Sequence, residues 1–181
     1  TAEECEMTWS RRQFLEIPVQ PVHVKYRLFK FMDQRDPRHR KFVEGANATN
    51  ADWCIKSSHL VVLYVPGHFG SYEQSRSLGA HGNQLTGRYS GNAHEKRVLK
   101  QLHEMVNGIV AQVVAPRDFF FDVYAVDLGE EGGAFHGAIL DRQAAFIADV
   151  VQFLESACDL HSILVVAHSI GGLSTLLSLQ S

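Results

Sequence analysis

The stretch Ser162-Ile163-Leu164-Val165-Val166-Ala167-His168-Ser169-Ile170-Gly171-Gly172-Leu173 decides how the rest of the chain is read. Ile163 to Val166 is a short, β-branched apolar run of the kind that forms a buried strand, and a helix-like segment follows Gly171. Between them stands one serine, flanked two residues before by Ala167 and two residues after by Gly171. A serine on a sharp strand-to-helix turn takes strained backbone angles, which only small residues at those two positions allow. The pattern is that of a nucleophile elbow, with His168 and Gly172 completing the turn. Such a turn lifts the Ser169 hydroxyl from the sheet edge and aims the N–H of Ile170 and the helix N-terminus at a developing oxyanion. Residues 162 to 181 carry no Asp, Glu, Lys or Arg, but their glycines, histidine, glutamine and hydroxyl groups argue against a membrane span.

Working outward, a second turn repeats the logic. Leu60 to Val65 is a continuous apolar run that belongs in a sheet covered on both faces, and it ends at Pro66-Gly67-His68-Phe69-Gly70-Ser71. A glycine turn after a central strand, closed by Ser71 as an N-cap, is where an α/β-hydrolase keeps the other half of its oxyanion hole. The N–H of His68 is the expected donor. By itself this would be an ordinary strand-to-helix connection; paired with Ser169 it points to acyl transfer.

The remaining segments supply the frame. Residues 1 to 17 are expected to pack on the body, Val22 to Met32 to form a first strand, and Trp53-Cys54-Ile55 a short one. Residues 79–97, rich in glycine and polar groups, read as a flexible loop or lid insertion. Val98, Leu102, Met105, Val106 and Ile109 recur at helical spacing, and Phe119 to Val126 is the next strand. It runs into an acidic glycine loop, Asp127-Leu128-Gly129-Glu130-Glu131-Gly132-Gly133, and Leu140, Ala144, Ile147, Val151 and Leu154 then mark a long helix. Strands alternating with helices predict an α/β fold, a three-layer sandwich on a mostly parallel sheet. All 181 residues read as the N-terminal portion of one such domain, truncated after the elbow helix.

Composition narrows the function classes. The chain is 45% hydrophobic and 20% charged, with a formal net charge of -3, so it is globular and offers no basic field for nucleic acid. The basic run from Arg35 to Lys41 is interrupted by Asp36 and Pro37 and reads as a solvated loop. Three scattered cysteines, Cys5, Cys54 and Cys158, form no zinc pattern and leave room for one disulfide. His94-Glu95 and His103-Glu104 lack the second histidine of a metalloprotease helix, so no metal is expected. Asn47-Ala48-Thr49 is a possible glycosylation acceptor. The start at Thr1 is expected to be that of an excised piece.

Taken together, Cys5-Glu6-Met7-Thr8-Trp9, Tyr26-Arg27-Leu28, Val65-Pro66-Gly67-His68-Phe69-Gly70-Ser71-Tyr72 with Arg76-Ser77-Leu78, Asp127-Leu128-Gly129-Glu130-Glu131 with Phe135-His136-Gly137, and the elbow resemble the lipase-like domain of the GPI inositol-deacylases, the PGAP1-like family. The resemblance implies a serine hydrolase that removes the acyl chain from the inositol of glycosylphosphatidylinositol anchors, with Ser169 as nucleophile and no cofactor. It further implies an endoplasmic-reticulum membrane protein with a lumenal catalytic domain, a GPI lipid or GPI-anchored protein as substrate, and membrane association through segments outside this chain. Ala167, His68-Phe69 and Ile170 depart from the Gly, Asn-Ala and Met usual there. In this fold the triad acid and base follow the serine, so both are expected beyond residue 181 and the isolated piece is expected to be inactive. The alternatives are another lipase or thioesterase, or an inactive module that binds GPI or a protein.

Overall fold

The structure is a computed structural model that describes residues 14–19, 25–33, 53, 59–85, 120–132, 136–158 and 163–180. Five strands, β1 (Phe14–Ile17), β2 (Arg27–Phe31), β3 (His59–Val65), β4 (Phe120–Asp127) and β5 (Ile163–Ala167), form one sheet in the order β1-β2-β4-β3-β5. β3 runs parallel to both β4 and β5, whereas β2 is antiparallel to β4 and to β1. The sheet is thus mixed, with its parallel part on the side that carries the elbow.

The continuous apolar run of β3 has the expected cause. Val61, Leu63 and Val65 point into the larger core cluster while Val62 points into a second cluster on the opposite face, and all four are buried. Each such side chain contributes about 1.5–3 kcal/mol on burial. The larger face is covered by α2 (Gly137–Cys158), whose Phe146, Ile147, Val150 and Leu154 are fully buried there at helical spacing. The short α3 (Gly171–Ser178) rests on α2, where the Ser174 hydroxyl donates to Gln143 Oε1 at 3.1 Å in a buried contact. A 3₁₀ turn (Tyr72–Ser75) and α1 (Arg76–Leu85) lie toward the second cluster, where Leu78 and Ala80 pack. Helices therefore cover both faces, giving the expected three layers.

Three local expectations differ from the structure. Phe14–Ile17, expected only to pack, is a strand held by pairing with β2 (Phe14 opposite Phe31, Ile17 opposite Leu28). Of the strand expected over residues 22–32, residues 22–24 lie outside the described residues, and within 25–32 it spans Arg27–Phe31, the length over which β4 and β1 offer partners. Residues 79–85, expected in a loop, complete α1. Gly79 faces the sheet there, and a Cβ on it would stand 2.4 Å from the Phe31 ring. The glycine lets a helix approach an aromatic residue and does not mark a loop. Residues 86–97 of that expected loop, the helix expected around Val98 to Ile109, Cys54-Ile55 of the expected short strand, and Asn47 all lie outside the described residues. Trp53 itself is buried, stacked on Phe153 of α2 at 5.6 Å and edge-on to Tyr124 at 5.9 Å.

Candidate active site

The C-terminal ends of β5 and β3 bring both predicted turns together. Ser169 sits between β5 and α3 with φ of 53°, a left-handed conformation rare for a residue with a side chain. Its surroundings enforce that angle. The His168 N–H donates to Val65 O at 2.9 Å, tying the turn to the end of β3. Helical bonding then begins at once, Gly171 N–H to His168 O and Gly172 N–H to Ser169 O, both at 3.0 Å. The ladder starts at Gly171, so the Ile170 N–H stands ahead of it. Gly171 is buried, and a Cβ there would lie 2.4 Å from Pro66 O and 2.9 Å from Val65 O, both backbone atoms that cannot swing aside. Gly172 meets no such limit. Ala167 occupies the position before the turn opposite Val65, and both it and Ser169 are exposed.

The β3 turn packs directly on this elbow. A Cβ on Gly67 would come within 2.9 Å of both His168 O and the Ser169 Cβ, and within 3.1 Å of His168 Nδ1. The Gly70 N–H donates to Gly67 O at 2.9 Å, which closes a four-residue turn with His68 and Phe69 at its centre. Phe69, with φ of 51°, takes the position that glycine or asparagine usually fills in such a turn. Its N–H donates to Glu131 O at 3.4 Å. Its ring lies 4.2 Å from that of His68 and is 66% exposed. Ser71 caps the next segment as expected, accepting from Glu73 N–H at 3.3 Å.

The acidic glycine loop after β4 borders the same turn. Gly129 and Glu130 reverse the chain with φ of 66° and 52°. Asp127 closes the base of the loop, accepting from Gly129 N–H through Oδ1 at 2.9 Å and from Arg27 Nη2 through Oδ2 at 2.6 Å. That engagement with Arg27 is a structural use of the carboxylate. Glu131 accepts from Lys25 Nζ and, at 2.5 Å, from the Tyr26 hydroxyl. Burial alone would raise the Glu131 pKa, but the Lys25 and Tyr26 hydrogen bonds and the charges of Lys25 and Arg142 outweigh it, and the net shift is downward. Burial, reinforced by the hydrogen bond to Glu131, pushes the Tyr26 hydroxyl up to about 12. His136, exposed, accepts through its carbonyl from Ile139 and Leu140 N–H at the start of α2.

Sequence reasoning placed Ser169, Ile170, Gly171, His68 and His168 in one neighbourhood, and the structure brings these residues together. It missed Phe69 and Glu131 as parts of the same constellation. The signal for Phe69 was available, since a bulky residue in a Pro-Gly-x-x-Gly turn has to accept an angle meant for a smaller one. A hydroxyl beside the start of a helix, next to a second glycine turn, can attack a carbonyl whose oxygen is met by backbone N–H groups. Among the described residues no group of histidine, cysteine or carboxylate side chains is placed to hold a metal ion, and no helix is long and apolar enough to cross a membrane.

Comparison with known proteins agrees with this fold. Residues 56–180 match the family described as the PGAP1-like alpha/beta domain. The chain is 28% identical over 186 residues to a GPI inositol-deacylase of Phaeosphaeria nodorum, covering 93% of this chain and 15% of that protein. It is 26% identical over 184 residues to one of Cryptococcus neoformans var. neoformans, covering 97% of this chain and 20% of that protein. A GPI inositol-deacylase of Eremothecium gossypii is 30% identical over 139 residues, covering 70% of this chain and 12% of its own length. The chain thus spans a fifth or less of the curated relatives it matches.

Proposed function

The chain belongs to the PGAP1-like alpha/beta domain family, and on that premise we propose that it carries the nucleophile and oxyanion half of a serine hydrolase that removes the acyl chain from the inositol of GPI anchors. The observation that carries this reading is Ser169 at φ of 53° on a strand-to-helix turn, with Gly171 pressed against the Pro66 carbonyl. Strain at a non-glycine residue persists only where the surroundings over-determine it, and such positions cluster at working sites.

In the proposed mechanism the Ser169 hydroxyl attacks the ester carbonyl on inositol, and a histidine removes its proton. The N–H groups of Ile170 and His68 receive the negative charge on the carbonyl oxygen, while Gly171 and Gly172 open the helix behind it. Each such donor is worth about 3 kcal/mol of barrier. The tetrahedral intermediate releases the inositol hydroxyl and leaves an acyl-serine. Water activated by the same histidine then frees the fatty acid, with no cofactor. The histidine and its carboxylate partner are assigned to sequence following residue 181, because triads of this fold run serine, acid, histidine in chain order. The engagement of Asp127 with Arg27 supports that assignment. Ala167 and His168 shape the elbow. A lumenal position in the endoplasmic reticulum is supported by the disulfide at Cys158, a bond of oxidising compartments. Membrane attachment is assigned to segments outside this chain.

The test is acyl release from inositol-acylated GPI by the full-length protein that contains this chain, wild type against Ser169→Ala. Release is expected to fall by at least about a thousandfold in the variant. Equal release by both proteins would remove the assignment. Absence of release from a correctly folded wild type would favour a module that binds GPI without turning it over.

A further inference from the structure

Glu131 links two ends of the molecule that the sequence holds far apart. Its carboxylate accepts from Lys25 and Tyr26, the two residues before β2, and its side chain is only 9% exposed. Its main-chain carbonyl accepts the Phe69 N–H at the centre of the β3 turn. A second contact joins the same partners, because a Cβ on the adjacent Gly132 would meet His68 Cε1 at 3.1 Å and Phe69 Cζ at 3.2 Å. The loop that carries Glu131 is fixed at its base by Asp127 with Arg27 and reversed through Gly129 and Glu130. Between that base and the Phe69 contact, the hydrogen bonds of the Glu131 side chain tie the loop to the residues that lead into β2.

We propose that Glu131 is a positioning residue of the candidate active site, its carboxylate anchored on Lys25 and Tyr26 so that its carbonyl and Gly132 hold the Gly67–Gly70 turn against the elbow. The proposal rests on the serine-hydrolase reading above. A hydrogen bond of 3.4 Å is long, so it restrains Phe69 only if its acceptor is itself held still. The strained angle at Phe69 needs such a restraint, since a free turn would relax toward negative φ and carry the neighbouring His68 N–H away from the oxyanion position. Preorganised donors act on the transition state more than on bound substrate, so loss of the anchor should appear in kcat and leave KM nearly constant.

The experiment compares wild type, Glu131→Gln and Glu131→Ala in the full-length protein, reading acyl release from inositol-acylated GPI and amide hydrogen exchange at Phe69. Glu131→Ala is expected to lower kcat by about tenfold to a hundredfold, the effect of a displacement of roughly 1 Å at a reacting centre. KM should stay within about twofold, and the Phe69 amide should exchange faster. Glu131→Gln keeps an acceptor oxygen for Tyr26 and is expected to recover most of the rate. If Glu131→Ala fails to fold, Tyr26→Phe removes one anchoring donor and carries the same two readouts. An unchanged kcat, or unchanged exchange at Phe69, beside an active wild type overturns the anchor alone. A wild type with no Ser169-dependent release overturns the hydrolase reading, and with it any catalytic use of Glu131.

Discussion

Two side-chain-bearing residues at the candidate site, Phe69 and Ser169, hold nearly the same left-handed angle for different reasons. At Ser169 the angle follows from contacts of the residues on both sides of it along the chain, His168 with the Val65 carbonyl and Gly171 with the Pro66 carbonyl. At Phe69 it is held by the turn together with the Glu131 carbonyl and Gly132 beside it, and the side chain returns little, being 66% exposed with its ring against only His68 among the described aromatic pairs. A left-handed angle costs an L-residue about 1–2 kcal/mol, and asparagine bears it most easily. Phe69→Asn is therefore expected to raise stability by about 0.5–1 kcal/mol in urea unfolding. A comparable loss would show that the contact with the His68 ring outweighs the strain.

Among the elements, β2 departs most from its reading. Its Lys30 is 1% exposed, with its ammonium 3.0 Å from Asp122 Oδ2 on β4 and donating to Trp53 O at 2.6 Å. A buried pair of this kind adds little over an apolar pair of equal size, but removing one member strands the other. Lys30→Met is expected to cost about 3–5 kcal/mol, and Lys30→Met combined with Asp122→Leu to recover most of it, both read from urea unfolding. A mild single variant would mean that water reaches Asp122 when the lysine is gone. The same contrast explains what was legible in the sequence. The strands β3, β4 and β5, helix α2 and the elbow could be read because each is written in consecutive or periodic apolar residues and local glycines. The strand β1 could not, because a four-residue strand has no pattern apart from its partner. Nor could the burial of Lys30 or the anchoring of Glu131, whose partners lie 92, 106 and 105 residues away along the chain (122 − 30, 131 − 25, 131 − 26). Gly79 was misread because packing on Phe31 and breaking a helix call for the same residue.

At the scale of the whole molecule, Trp53, Tyr124 and α2 pack together in the larger core cluster on one face of the sheet, and α2 ends on Cys158, which is disulfide-bonded. The sequence holds two other cysteines, Cys5 and Cys54, both outside the described residues. Either partner would close a loop of the order of a hundred residues or more that contains β3 and β4, and a cross-link of that span restricts the unfolded chain strongly. Cys158→Ser is expected to lower the unfolding free energy by about 2–4 kcal/mol. Reductant should lower the wild type by a similar amount and leave Cys158→Ser unmoved, as measured by thermal unfolding with and without dithiothreitol. A wild type indifferent to reductant would remove the stabilising role of the bond and, with it, the structural support for an oxidising compartment. Sensitivity confined to the wild type would tie the packing of α2, and through Ser174 and Gln143 the seat of the elbow helix, to the redox state of the compartment in which the protein folds.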